Sequence, residues 1–345
     1  MPFAVDRLEA FAAAVIEAAG ASAEEARIVA HHVVDANLAG HDSHGLAQLP
    51  DYVGRIRKGH IVPGAPIVTV RETSTTTVID GNWGFGFVVS ELAMRTTIDK
   101  ARRHGVAATT VFRQGHVGRV AYYPLMAAEA DLIGMMTADS GRSPKAVAPF
   151  GGREPRLGTN PICMAVPSDL DGPFFIDMAT SACAVGKLKL AMDKGQPIPE
   201  GWLIDAQGRP TTDPHDYDRG GVVLALGGPE GHKGYGLSAM VEVLSGVLTG
   251  LGFGVEPTGR HNDGCFMAAF DVGAFRDLAE FKREVRDFAE YLRSTPPAEG
   301  FDRVYYPGEI EHDNATRRRR EGVELAAGTV DRLGKLAAEL SVDPL

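Results

Sequence analysis

The sequence is short of cysteine, of positive charge and of long apolar runs. Only three cysteines occur in 345 residues, Cys163, Cys183 and Cys265, separated by 20 and 82 positions. No Cys-x-x-Cys pair is present, so neither a zinc knuckle nor a disulfide framework is indicated. An odd set of apolar-flanked thiols fits reduced, buried cysteines in a cytoplasmic protein. Lys and Arg number 35 against 45 Asp and Glu, a formal net charge of −10. Binding along a phosphate backbone needs a net basic surface, so nucleic acid is not expected as a partner. The one basic run, Arg317–Arg320, is flanked by Glu309, Glu311, Asp313 and Glu321 and reads as a solvated or ion-paired helix face. No apolar stretch approaches the roughly 20 residues that cross a bilayer. Asp6, Arg7, Glu9 and Glu17 interrupt what would be the apolar part of a secretory signal. The expectation is a soluble, cytoplasmic protein without a membrane partner. Two nucleotide signatures are also missing: neither G-x-G-x-x-G nor G-x-x-x-x-G-K-[ST] occurs.

What is present is ordinary globular composition, 44% hydrophobic and 23% charged, which excludes global disorder. At roughly 150 residues per domain the length suggests about two domains. The first segment reads as helices. Leu8, Phe11, Val15 and Ile16 recur at helical spacing before Gly20, and Ser22 with Glu25 forms a capping-box pattern for a helix toward Leu38. A third helix is expected after Asp42-Ser43-His44, with Leu46, Leu49, Val53 and Ile56 as its apolar stripe. From about residue 65, strand and helix alternate: strands at Val68–Val70, Thr75–Ile79, Val106–Phe112 and Leu132–Thr137, and helices at Val88–Arg103 and Arg119–Glu129. This alternation is an α/β signature. A Gly- and Pro-rich stretch then joins short strands near Ile162–Val166, Phe174–Asp177 and Val222–Leu226. Further expected elements are helices Tyr235–Leu248 and Arg276–Leu292, a strand Cys265–Phe270, an irregular segment after Pro296-Pro297, and a last helix Val330–Leu340.

Four constellations could carry chemistry. Gly40-His41-Asp42-Ser43-His44-Gly45 enters a helix, where free N–H groups favour an anion. Gln48 and Tyr52 lie one turn apart, so Ser43, His44, Gln48 and Tyr52 form either a polar pocket wall or a capped, exposed helix face. His41 and His44 would need a further ligand such as His116 to hold a metal, and nothing in the spacing makes them converge, so no metal is expected. Gly115-His116-Val117-Gly118-Arg119 follows a strand and precedes a helix. Flanking glycines leave the imidazole accessible at a strand end, where α/β sheets bind ligands, and an ordinary pKa near 6.5 suits proton exchange. Gly227–Gly234, with Gly231, His232 and Lys233, is a strand–loop–helix turn that could cradle phosphate or serve only as a tight turn. Phe174–Ser181 places Asp177 at a strand end, where it could hold a ribose or cap a helix.

Taken in order, Asp42-Ser43-His44-Gly45, Gly115-His116-x-Gly118, Ala148-Pro149-Phe150-Gly151-Gly152, Leu157-Gly158-Thr159-Asn160-Pro161, Asp177-Met178-Ala179-Thr180-Ser181, Gly231-His232-Lys233-Gly234-Tyr235-Gly236-Leu237 and Pro307-Gly308-Glu309 resemble one family. It is the malate/L-lactate/sulfolactate/ureidoglycolate dehydrogenase family, separate from the classical lactate and malate dehydrogenases. The wording looks closest to the hydroxycarboxylate dehydrogenase B branch. The resemblance implies an oxidoreductase that uses NAD, with NADP possible, on a 2-hydroxy/2-oxo acid. It also implies an α/β fold with a mixed, largely antiparallel sheet that is not doubly wound, and self-association as a homodimer or larger. Residues 1–65 plus 310–345 would form a helical, dimerising region around a core of residues 66–309.

Carried over by motif, His116 would exchange the proton with the substrate, with Ser43 and His44 orienting the reacting groups. Gln48, Tyr52, Thr159 and Asn160 would meet substrate. His44, Gly118, Arg119, Phe175, Ile176, Asp177, Met178, Ala179, Thr180, Gly231, His232, Lys233, Gly308 and Glu309 would meet cofactor. A related reductase of a cyclic 2-imino acid would use the same parts, and a metal-dependent lyase or hydrolase using His41, His44 and His116 is the further alternative. At Gln48 many members carry an arginine that pairs with the substrate carboxylate. Glutamine cannot replace that charge, so Arg119, Arg142 or backbone N–H groups would have to serve, or the substrate differs from malate. An aromatic or longer 2-oxo acid is the expectation.

Overall fold

The computed structural model describes residues 2–139, 144–255, 260 and 263–345. The chain opens with helices α1 (Val5–Ala18), α2 (Ala23–Leu38) and α3 (Leu49–Arg57). It continues through β1 (Val68–Glu72), β2 (Thr76–Gly84), α4 (Gly86–His104), β3 (Val106–Gln114), α5 (Tyr122–Glu129) and β4 (Leu132–Asp139). Next come β5 (Ile162–Val166), β6 (Phe174–Met178), α6 (Val185–Lys194) and the two-residue strands β7 (Leu203–Ile204), β8 (Pro210–Thr211) and β9 (Val222–Val223). Then follow α7 (Gly231–Glu242), β10 (Asp263–Asp271), α8 (Leu278–Arg293), α9 (Glu309–Glu321) and α10 (Ala327–Leu340).

The main sheet has the order β1-β2-β3-β10-β4-β5-β6. Only β2 and β3 run parallel, and every other neighbouring pair is antiparallel. The sheet is therefore mixed and largely antiparallel, as the resemblance implied, and not a doubly wound parallel sheet. A second small sheet, β8-β7-β9, packs around its own apolar cluster with Cys183, Leu188 and Ile198.

Strand β10 enters the sheet from far along the chain and separates β3 from β4. Its residues Cys265, Met267 and Ala269 are fully buried, and Met267 lies across from Thr109 on one side and Met136 on the other. Side chains alternate between faces along a strand. Met136 and Ala138 join the apolar cluster built by α4 and α5, while Thr137 between them bonds Ser245 Oγ at 2.8 Å. Ser245 belongs to a π-helical stretch, Val243–Val247, that continues α7. A second cluster is made by α1, α2, α3 and α10 with Phe85 and Phe87. The junction between the two regions carries a buried polar contact, His32 Nε2 3.0 Å from Glu91 Oε1.

Several element boundaries differ from those expected. The third helix begins at Leu49, after two short 3₁₀ turns at Asp42–His44 and Leu46–Gln48, because Pro50 suits a first helical turn better than an interior. The fifth helix begins at Tyr122 rather than Arg119. The strand at 222 stops at Val223, and α7 starts four residues earlier than expected, at Gly231. α6, which follows the strand-end motif at 177–181, was not among the expected elements. α9 lies in the stretch after Pro296-Pro297 read as irregular, although its basic run Arg317–Arg320 was read as a helix face. The sequence of α9, Glu-Ile-Glu-His-Asp-Asn-Ala-Thr-Arg-Arg-Arg-Arg-Glu, has no apolar stripe to signal a helix. The three cysteines are free and buried, as expected. Among the described residues no helix is long and apolar enough to cross a membrane.

Because β10 has buried neighbours on both sides, truncation at its flank should be costly. Met136→Ala is expected to lower unfolding free energy by about 2–5 kcal/mol in denaturant titration.

Candidate active site

Strand direction decides which residues meet. Alternation of direction through β3, β10, β4, β5 and β6 puts the end of β3, the start of β10, the end of β4, the start of β5 and the end of β6 on one edge of the sheet. That edge collects the loop carrying His116, then Asp263, Asp139, Thr159 with Asn160, and Asp177. The 3₁₀ turns and α3 lie against it from the helical region. Between them is a cleft of ≈ 640 Å³, lined on one side by Gly40–His44 and on the other by Asp177, Ala179 and Ser181–Ala184, with Gly118, Arg119 and Thr159 at its floor.

His116 is half-buried. Its Nδ1 lies 2.8 Å from the hydroxyl of Tyr52, and its ring stacks on His44 with centroids 5.8 Å apart and planes at 18°. The loop is held by Val117 N–H, which donates to Asp263 Oδ2 at 3.0 Å. Gly118 has φ +70°, and a Cβ there would lie 2.4 Å from a Phe87 ring carbon, so only glycine fits the turn. His44 Nδ1 is 3.1 Å from Ser43 Oγ. Burial, and secondarily the nearby His41, push the His44 pKa below its ordinary value, so this ring is neutral near pH 7. Burial raises the Tyr52 pKa, so its hydroxyl keeps its proton.

Not every residue carried over by motif reaches the cleft. Tyr52 is 1% exposed and stands behind His116, outside the cleft lining. Gln48 turns inward, its amide donating to the Ser43 carbonyl at 2.7 Å. The 3₁₀ geometry at 46–48 breaks the helical face that it was expected to share with Tyr52. Asn160 lies beneath the cleft and donates to Ser238 O at 3.0 Å and Glu242 Oε2 at 2.9 Å. Glu242 also meets the buried Lys145, which sits 3.3 Å from Asp139. Burial raises the Asp139 pKa against the pull of that ammonium. Thr180 is buried, and its hydroxyl bonds the carbonyls of Thr159 and Asn160. Phe175 belongs to the core, and Ile176 and Met178, on the same strand, are not cleft-lining.

Asp177 does line the cleft. It also caps a helix, accepting from Ala121 N–H at 2.9 Å just before α5, so only part of the carboxylate is left for a ligand. Glu309 is buried, pairs with Arg293 and accepts from Tyr306 N–H, while Gly308 abuts Phe175. Both support the wall rather than form it. Gly231, His232 and Lys233 start α7 outside this cleft, with Lys233 exposed and 2.9 Å from Glu230. Arg142 lies outside the described residues. Among the described residues no group of three His, Cys, Asp or Glu side chains is placed to hold a metal.

Three contributors had no signal in the sequence. Asp263 braces the His116 loop. Asp35 pairs with Arg119 at 2.8 Å. Asn37 spans the 3₁₀ turns, donating to Asp42 Oδ1 at 2.6 Å and accepting from Leu46 N–H at 2.9 Å. Each acts on a residue with which it forms no recognisable motif.

The cleft fits a phosphate-bearing, planar cofactor. Its volume is in the range of ligand sites, Gly118 lets the backbone approach closely, and Arg119 sets a guanidinium in the lining. That side chain is 5% exposed and its charge is paired with Asp35 at 2.8 Å, so the guanidinium is a fixed part of the lining rather than a free cation.

Comparison with known proteins agrees with this geometry. The sequence profile described as malate/L-lactate dehydrogenase matches residues 3–334. L-sulfolactate dehydrogenase of Methanothermobacter thermautotrophicus is 41% identical over 337 residues, covering 95% of this chain and 94% of that protein. Hydroxycarboxylate dehydrogenase B of Escherichia coli is 34% identical, covering 99% and 94%. The crystal structure of malate dehydrogenase from Entamoeba histolytica superposes with a TM-score of 0.94 at 34% identity, covering 99% of each chain. The similarity spans several substrate names and does not single out the hydroxycarboxylate dehydrogenase B branch.

Two outcomes follow from this geometry. Tyr52→Phe keeps the buried ring and removes the bond to His116, so kcat should fall about three- to tenfold, the worth of one hydrogen bond, with little change in melting temperature. His32 and His44 both have folded pKa values below the ordinary 6.5. Below that pH the unfolded chain binds their protons first, so stability is lost as pH falls from 6.5 toward the folded values. Melting curves between pH 7.5 and 5.5 should record a declining Tm.

Proposed function

This chain belongs to the malate/L-lactate dehydrogenase family and is an NAD(P)-dependent enzyme that moves a hydride between a nicotinamide cofactor and a 2-hydroxy/2-oxo acid; on that premise we propose which residues do what. The carrying observation is the Tyr52–His116–His44 arrangement beside the cleft, in which His44 lines the cleft and His116, not itself among the lining residues, stacks on His44. When bound, the nicotinamide gives or takes the hydride. His116 exchanges the accompanying proton with the substrate oxygen through Nε2, while Nδ1 is engaged by Tyr52. In reduction, the imidazolium N–H stabilises the oxygen as negative charge develops, then passes its proton to it. The ring left behind keeps Nδ1–H, which donates to the Tyr52 oxygen. In oxidation the same steps reverse. A neutral His44 matters because two stacked imidazolium rings would repel each other, so the mobile proton belongs to His116. Ser43 sets the orientation of the His44 ring.

Gly118, Arg119, Asp177 and Ala179, which line the cleft, would hold the cofactor. A carboxylate at Asp177 favours NAD over NADP, since it would repel a 2′-phosphate. The substrate carboxylate is held without the arginine common in the family, because Gln48 stands there with its amide committed to Ser43 O. This supports an aromatic or longer 2-oxo acid as the preferred substrate. Self-association as a homodimer or larger is part of the proposal. It is supported by exposed apolar side chains at Met240, Val243, Val247, Leu248 and Phe253.

The test is absorbance of reduced nicotinamide with NADH or NADPH and a panel of oxaloacetate, pyruvate, 2-oxoglutarate, phenylpyruvate and the 2-oxo acid of sulfolactate. Phenylpyruvate or 2-oxoglutarate should exceed oxaloacetate, and NADH should exceed NADPH. His116→Ala should lower kcat by about 10²–10⁴-fold while cofactor binding persists. Preference for oxaloacetate would overturn the substrate assignment. Turnover only with pyruvate plus methylamine would replace the 2-oxo acid by an imine.

A further inference from the structure

We infer that helix α9, acting through Arg318, is the positioning element that holds the Ser43–His44 turn in register with the opposite wall of the cleft. The inference rests on the reading that this turn belongs to the active site. The turn is two short 3₁₀ pieces, so little regular hydrogen bonding of its own fixes it. What fixes it comes from elsewhere. Arg318 reaches both carboxylate oxygens of Asp42, with Nη1 at 2.7 Å and Nη2 at 3.2 Å, and Nη1 also donates to the Asn37 carbonyl. Two turns of α9 earlier, on the same face, Glu311 Oε1 stands 3.7 Å from His41 Nε2. Asn37 closes the other end of the turn through Asp42 and Leu46. A Cβ at Gly45 would fall 2.1 Å from Asn37 Oδ1, so the backbone is seated directly on that amide. Ser43 and His44 are thus carried between two clamped residues, Asp42 and Leu46.

The beginning of α9 is anchored to the other wall. Phe175 N–H donates to Pro307 O at 3.1 Å, Gly308 packs against the Phe175 ring, and Glu309 is locked by Arg293. Phe175 sits on β6, whose end delivers Asp177 and Ala179 to the cleft. A single 13-residue helix, about 20 Å long, therefore spans from one wall to the turn that forms the other. This accounts for a helix that is strongly polar yet well placed. Its side chains engage the 41–42 turn and, through Glu309, Arg293, with Ala315 as its contact to the apolar core. The guanidinium fork matters because it meets two oxygens and a carbonyl in one plane, which an ammonium cannot do.

The test compares Arg318→Ala and Arg318→Lys with Arg319→Ala, an exposed neighbour. Readouts are kcat and KM for the preferred 2-oxo acid, melting temperature, and amide hydrogen exchange of the 42–46 segment. Arg318→Ala should lower kcat/KM by about 10- to 100-fold, mostly in kcat. It should speed exchange at 42–46 by about tenfold or more while exchange in the main sheet stays unchanged. Arg318→Lys should recover only part, and Arg319→Ala should match wild type. Should Arg318→Ala not fold, Arg318→Gln keeps an aliphatic stem and gives the same readouts. Unchanged exchange at 42–46, or faster exchange with kcat/KM within about twofold of wild type, would overturn the inference. Wild-type protein that turns over no 2-oxo acid would instead defeat the functional reading, and exchange at 42–46 would still decide the role of Arg318.

Discussion

The insertion of β10 between β3 and β4 is the constraint on which the remainder of the structure depends. A strand beginning at residue 263 pairs antiparallel with strands beginning at 106 and 132, and a one-residue slip would turn Cys265, Met267 and Ala269 to the opposite face. Reversal of direction at β10, and again at β4, β5 and β6, turns successive strand ends to the same edge. A parallel arrangement would need long crossovers and would leave different loops together. With this order, Asp263 comes next to the His116 loop and accepts its backbone N–H, and Thr159 and Asp177 arrive on neighbouring strands. Catalytic geometry is here a consequence of strand order.

The second layer of organisation is polar. The cleft is walled by segments with little regular structure of their own, and each is held by hydrogen bonds, most of them buried or half-buried, with the Arg318–Asp42 pair exposed. Asn37 and Arg318 hold the 42–46 turn, Thr180 ties two strand ends together, and Asn160 joins the start of β5 to α7. In a low-dielectric setting such bonds are strong when complete and costly when broken. They fix angles that apolar packing leaves free. The same burial sets protonation. His44 is kept neutral and Tyr52 keeps its hydroxyl proton. Positioning and proton assignment follow from one physical cause, removal of these groups from water.

Much of the chemistry was legible in the sequence because it is local. Gly115–Gly118 around His116 announces a tight, accessible turn, and Gly118 proves to need its glycine. Asp42-Ser43-His44 marks a helix entry, and the alternating apolar pattern from residue 65 to 137 marks strands and helices whose ends differ by only a few residues from those found. What was misread has identifiable reasons. Asp177 offered a ribose contact or a cap, and it is a cleft-lining carboxylate that also caps α5. Tyr52 was placed on a pocket wall by helical spacing, but Pro50 delays the helix, so the spacing does not apply. Glu309 and Asn160 were carried over by motif, yet their side chains face inward to Arg293 and to α7. A motif preserves residue identity without stating which way a side chain points. α9 was read only as a charged helix face without bounds, because hydrophobic periodicity is what delimits a helix, and a helix that works through Glu311 and Arg318 has none.

By itself the sequence determined the family of the chain, the class of its chemistry, the absence of a doubly wound nucleotide motif, and the loops that carry His116, Ser43 and His44. These are properties of short segments, where spacing, glycine placement and side-chain chemistry act over a few residues. Only the tertiary structure decided that Tyr52 stands behind His116, that Asp263 braces its loop, that Gln48 folds back onto Ser43, and that Arg318 reaches Asp42. Each of the long-range contacts joins residues on separate elements, and which elements meet is settled by burying apolar surface across the whole chain. The energy that places β10 between β3 and β4, or α9 beside α2, is summed over many side chains. No local pattern reports it.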